Sequence, residues 1–124
     1  MEKPVLHVDE LESYEQDSGE NIAYQFVVKP GTQGLLSAGR VRLKGPTRKA
    51  LDIHTGWDQA YYIVRGSGRI VVGEETYPVR GGFVARVPAG TNHGVILDEG
   101  EEMEYIYFNA FKSQAALDGL LKEM

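Results

Sequence analysis

Three kinds of side chain in this sequence could do chemistry together: imidazole, carboxylate and amide. Two segments carry them. In Asp52-Ile53-His54-Thr55-Gly56-Trp57-Asp58-Gln59, Asp52 and His54 are two positions apart, so on an extended strand both point to one face. Gln59 follows a Gly-containing bend, beyond which a new strand can bring it back towards His54. The second segment, Gly82 to His93, ends on another imidazole. The chain has no cysteine, which excludes a thiolate nucleophile, a disulfide framework and any Cys-ligated zinc or iron–sulfur site. A metal here must take His, carboxylate or amide ligands. The third histidine, His7, has no partner pattern and reads as a surface residue.

The elements that must position these groups are short and β-rich. At 124 residues the chain can build one domain with a real core. Fifteen glycines and five prolines divide it into runs of Val, Ile, Tyr and Phe, the pattern of an all-β sandwich or barrel of about eight to ten strands. Strands are expected at Ile22 to Val28, Ser37 to Leu43, Leu51 to His54, Ala60 to Arg65, Arg69 to Val72, Glu74 to Val79, Phe83 to Val87, His93 to Leu97 and Met103 to Phe111. Gly66-Ser67-Gly68 reads as a compact hairpin turn, and Pro78 confines its strand to an edge. Residues 1–20 form an acidic arm or an edge strand around Val5 to Val8, residues 21–112 the barrel, and residues 113–124 a helix. Ser113 can cap that helix, and Leu117, Leu120, Leu121 and Met124 form one apolar stripe, to pack on the β-domain or on a second subunit.

Composition narrows the partners. Thirteen basic against eighteen acidic residues leave a net charge of −5, and no basic, aromatic-interleaved run offers phosphate-binding chemistry, so nucleic acid is disfavoured. No stretch approaches the roughly eighteen apolar residues of a membrane span, and the first twenty residues lack an apolar core segment. The expectation is a cytoplasmic protein.

The spacing His54-x4-Gln59-x6-Gly66, followed after fifteen residues by Gly82-x5-Pro88-x-Gly90-x2-His93, resembles the two sequence motifs of the cupin superfamily. The likeness covers Gly45 to Leu97, and the strings YYIVRGSGRIVV and PAGTNHGV extend it. It implies a double-stranded β-helix, or jelly-roll barrel, with one divalent ion (Fe, Mn, Zn or Ni) inside and often a homodimer. Family sites commonly use three His and one Glu. At those positions this chain has Asp52, His54, Gln59 and His93, while Leu97 replaces a terminal Asn and Gly45 lies one residue further upstream. Asp52, being shorter than His, either completes a two-His-one-carboxylate set or orients an imidazole from behind it. Gln59 is a neutral fourth ligand that leaves an ion more Lewis acidic than Glu would. Without a metal, His54 and His93 would be hydrogen-bonded interior histidines, and Asp52 a salt-bridge partner.

Alternation places Gln59, Tyr61 and Ile63 on one face of a strand, His93, Val95 and Leu97 on one face of another, and Tyr105, Tyr107 and Asn109 on one face of a third. The interior then mixes tyrosine hydroxyls with apolar walls, and Tyr61, Tyr105 or Tyr107 could supply a proton. Trp57 either roofs the pocket and stacks on a ligand or plugs core or a dimer interface. Arg40 and Arg42, with Lys44, Arg48 and Lys49, either clamp a carboxylate substrate or form a solvated face paired with the acidic turn near Glu101 and Glu102. Two functions fit: a metal-binding cupin acting on a small oxygenated acid or sugar acid, as isomerase, lyase or dioxygenase, or a non-catalytic cupin that binds a sugar or other small ligand, with or without metal. A structural dimerisation role can accompany either.

Overall fold

The structure, a computed structural model, describes residues 3–15 and 21–124. Among these, nine strands form: β1 (Ser13–Tyr14), β2 (Ile22–Val28), β3 (Leu36–Lys44), β4 (Thr47–Asp52), β5 (Trp57–Val72), β6 (Glu75–Arg80), β7 (Val84–Val87), β8 (His93–Leu97) and β9 (Glu102–Phe111), followed by the helix α1 (Gln114–Glu123). Every pairing is antiparallel. The order is β1-β2-β3-β9-β5-β8-β4, with β6 and β7 also on β5. The sheet curls on itself as a jelly roll, the expected all-β architecture with one C-terminal helix.

Gly66-Ser67-Gly68 is not a hairpin turn. β5 runs through it unbroken, pairing with β9 and β7 before the bend and with β6 and β8 after it. Gly66 has φ +88°, and a Cβ there would collide with the Glu102 carbonyl oxygen, so the glycine lets a strand turn a corner against its neighbour. The true reversal comes later, at Gly73-Glu74, where Val72 pairs with Glu75. Two other boundaries move. The strand expected at Leu51 to His54 is Thr47–Asp52, because pairing with β8 (Thr47 with Leu97, Arg48 with Ile96) sets its register; His54 lies just past it. The edge strand is Ser13–Tyr14, paired to Gln25 and Tyr24, while Val8–Glu10 is a 3₁₀ turn and Val5 is exposed. Residues 16–20 of the arm lie outside the described residues.

The inner face is ordered in rows across β3, β9 and β5. Ser37, Asn109 and Gln59 form one row, Gly39, Tyr107 and Tyr61 the next, and Val41, Tyr105 and Ile63 a third. The expected face-sharing sets therefore hold, and the rows grade from polar to apolar. The third row joins Tyr24, Leu43, Ile70, Val95, Leu97 and Met103 in the core. Gly39 is required by its row, since a Cβ there would strike the Tyr107 ring. Ser113 caps α1 by accepting from the Ala116 N–H at 3.1 Å, and Leu117 is buried. Leu121 packs on Gly31, so the helical stripe is spent largely on this chain's own barrel, while Met124 at its end is exposed.

On the outer face, Glu104 accepts hydrogen bonds from Arg40 (3.1 Å and 3.3 Å) and Arg65 (3.0 Å), and Arg40 also donates to Gln25 at 2.6 Å. The Arg40 bond, then Arg65, hold the Glu104 carboxyl below its ordinary value of 4.5, against an opposing desolvation. A depressed carboxylate contributes stability above the unfolded value and loses it as pH falls through the folded one. Glu104→Gln should therefore cost about 2–3 kcal/mol at pH 7 and flatten the loss of stability below about pH 4.5, read by urea unfolding at a series of pH values. Gly66→Ala should cost roughly 2 kcal/mol or more. Gly119→Ala, in an open position on α1, should instead stabilise by up to about 1 kcal/mol by the same measurement.

Candidate functional site

A cavity of about 1110 Å³ occupies the polar end of the barrel. His54, Gln59, Tyr61 and His93 line it, and α1 contributes wall through Ala116 and Leu120. The helix reaches this position because Lys112 N–H bonds the Gly56 carbonyl (2.9 Å) and Ala116 packs on Gly56, in the bend that carries Trp57.

The two distant imidazoles do meet. His93 opens β8, and His54 follows β4, its neighbour in the sheet; their ring centroids are 5.0 Å apart. His93 is buried, and its Nδ1 lies 3.1 Å from the Thr91 carbonyl oxygen, a bond that only Nδ1–H can make. That tautomer leaves Nε2 with a free lone pair. His54 stacks on Trp57 at 4.4 Å. Burial is the largest influence on His54 and lowers its pKa; Asp52 opposes this, while His93 and Lys49 add to it. Such an imidazole stays neutral at pH 7.

Gln59 is oriented by its row. Its Nε2 donates to Asn109 Oδ1 at 2.7 Å, and Asn109 Nδ2 donates to Ser37 Oγ at 3.1 Å. Gln59 Oε1 is left buried without a partner, as are Trp57 Nε1 and the Tyr105 hydroxyl. Buried polar atoms are normally satisfied, so an orphaned amide oxygen in the cavity that His54 and His93 also line offers a bound group an acceptor. Two imidazole nitrogens and an amide oxygen suit a borderline divalent ion, and the residues present fit one.

Asp52 stands differently from the others. Its Oδ1 accepts from Ile53 N–H at 2.9 Å, and its Oδ2 lies 3.5 Å from His54 Nε2, an electrostatic contact too long for a good hydrogen bond. The Asp52 side chain is 64% exposed against 23% for His54. Among the described residues no three His, Asp or Glu side chains come together as an ion site.

The tyrosines line the cavity as protonated hydroxyls. Desolvation raises the pKa of Tyr61, Tyr105 and Tyr107, with Asp52 adding to the shift at Tyr61. Tyr107 shares a 2.7 Å hydrogen bond with Tyr14, which sequence reasoning missed because a two-residue strand in an acidic arm carries no periodic signal. Trp57 lines the cavity through its stacking on His54 and also packs on Phe111. Arg40 and Arg42 do not reach the cavity: Arg40 is committed to Glu104 and Gln25 on the outer face, and Arg42 lines a separate, smaller hollow. β3 turns both outward, since their alternating partners Gly39 and Val41 face in. Lys49, which belongs to the same basic run, does line the cavity.

Comparison with known proteins agrees with this architecture. The family model described as Cupin domain matches residues 39–109, more than half of the chain. No curated protein matches. Among solved structures, a predicted oxalate decarboxylase from Thermotoga maritima superposes with a TM-score of 0.77 at 16% identity, over 86% of this chain and 98% of that one. The polyketide cyclase RemF from Streptomyces resistomycificus superposes at 0.76 and 16% identity, over 100% and 94%. KdgF from Halomonas sp. does so at 0.71 and 19%, over 92% and 99%. Identities this low establish a shared fold alone. With the two motifs, the curled antiparallel sheet and the family match on one stretch of chain, this protein belongs to the cupin family.

Proposed function

We propose that the cavity takes a small oxygenated acid or sugar acid and holds one divalent ion, Fe, Mn, Zn or Ni, through His54, His93 and Gln59. The observation that carries this reading is the unpartnered Gln59 Oε1 in the cavity that His54 and His93 also line, with their rings 5.0 Å apart. An ion bound there supplies Lewis acidity towards a ligand carbonyl or enediol oxygen. The chain's own groups do the rest. Burial keeps His54 unprotonated, the state a ligating nitrogen must have. Asp52 attracts the His54 ring from the solvent side and orients it. Tyr61 holds its proton and donates a hydrogen bond to a developing oxyanion. Tyr14 and Tyr107 have two hydroxyl hydrogens and spend one on each other, leaving one to donate. Neutral donors around a polarised carbonyl suit isomerase or lyase chemistry. The largely exposed Asp52 carboxylate favours a second reading, a cupin that binds its ligand without turnover and without metal.

Metal analysis of protein purified without added metal or a metal-affinity tag separates the two. Near one equivalent is expected, with most of it lost in His54→Ala or His93→Ala. Gln59→Leu should weaken metal binding at least about tenfold, whereas Asp52→Ala should retain the metal. Metal-free protein that still binds sugars would favour the second reading.

A further inference from the structure

Lys49 has no role in the site as drawn above, yet it faces the same cavity. Its orientation follows from a bulge. Lys49 pairs with Val95 and Asp52 with His93, so three steps along β4 cover two along β8. In a regular strand residues 49 and 52 would lie on opposite faces; the extra residue puts both on the face of Val95 and His93, which are buried. The Lys49 ammonium lies over the ring of buried Tyr24, 5.2 Å from its centroid. Among the described residues no carboxylate comes within 4.0 Å of its nitrogen, and Asp52 acts on it from further away. The other cavity-lining cation, Lys29, is already paired with Glu12 at 3.1 Å.

A cation drawn out of water without a counter-ion is destabilising, and an anion entering the cavity would offset that cost. We infer that Lys49 recognises the carboxylate of the ligand, fixing an acid with its charged end at β4 and its oxygenated carbon towards His54 and His93. This rests on the reading of the cavity as a small-acid site. Asp52 is the competing charge. Its Oδ1 accepts from the Ile53 N–H and it makes no ion pair with Lys49, which leaves the ammonium available. A lysine serves as a point charge on a flexible stem, so it accepts a carboxylate from several directions and suits a class of acids better than one rigid substrate.

The test compares acids with neutral partners: glycolate with glycolamide, pyruvate with pyruvamide, and galacturonate with galactose, by NMR titration of the full chain with and without added Mn²⁺ or Zn²⁺. For at least one pair the wild type should prefer the acid tenfold or more. Lys49→Gln should collapse that preference to within twofold, leave the neutral partner's affinity unchanged and leave metal content intact. Lys49→Arg should keep most of the preference, and Asp52→Asn should increase it. Lys49→Met serves the same comparison if Lys49→Gln does not fold. An acid preference that survives in Lys49→Gln overturns the inference, as does a wild type with no preference in any pair. So does an Asp52→Asn variant that loses the preference, because Lys49 would then be serving Asp52. Metal-free protein with a Lys49-dependent preference would sink the metal reading and keep this one.

Discussion

One strand, β5, carries hydrogen-bond ladders to four neighbours, two on each side of a corner that only glycine can make. Before the corner it holds Gln59 and Tyr61 against β9 and β7; after it, Val72 pairs with His93 on β8. The relation between the amide and the second imidazole is therefore set along a single continuous strand and its ladder, not by loops. β8 in turn pairs with β4 and brings Asp52 beside His93. Break the corner and the two halves of the site belong to unrelated sheets.

The interior grades from apolar to polar because each row of the sheet draws one residue from each strand. Val41, Tyr105 and Ile63 close the core, Tyr107 and Tyr61 add hydroxyls, and Ser37, Asn109 and Gln59 face the cavity. The hydrogen bonds within that last row run from Gln59 through Asn109 to Ser37 and leave the Gln59 amide oxygen, on the residue where they start, with nothing to accept. Residues with unspent valences line the same cavity: the Gln59 oxygen, the Trp57 N–H, the Tyr105 hydroxyl and the Lys49 ammonium. A folded chain tolerates such groups poorly unless something else meets them, and their convergence separates a binding cavity from a packing defect.

The outer face shows the opposite economy. Arg40, Arg65, Gln25 and Glu104 satisfy one another across β2, β3, β9 and β5, so Arg40 of the basic run that reads in sequence as a carboxylate clamp is consumed there. Sequence alternation could separate Arg40 and Arg42 from Val41, but not say which side was the interior. The bulge in β4 then reversed the parity for Lys49, which local composition does not signal.

Much was legible without coordinates. Glycine and proline punctuation marked most of the strands, alternation sorted the faces of β5, β8 and β9, Ser113 announced the helix, and motif spacing singled out His54, Gln59 and His93, because these are properties of local backbone chemistry and period. Only the tertiary structure decided that Gly66 is a corner within one strand, that Tyr14 joins Tyr107, that the Asp52 side chain is largely exposed, and that Lys49 lines the cavity. Each of those depends on which strand lies next to which, and hydrogen-bond register between residues far apart in the chain leaves no mark on the residues themselves.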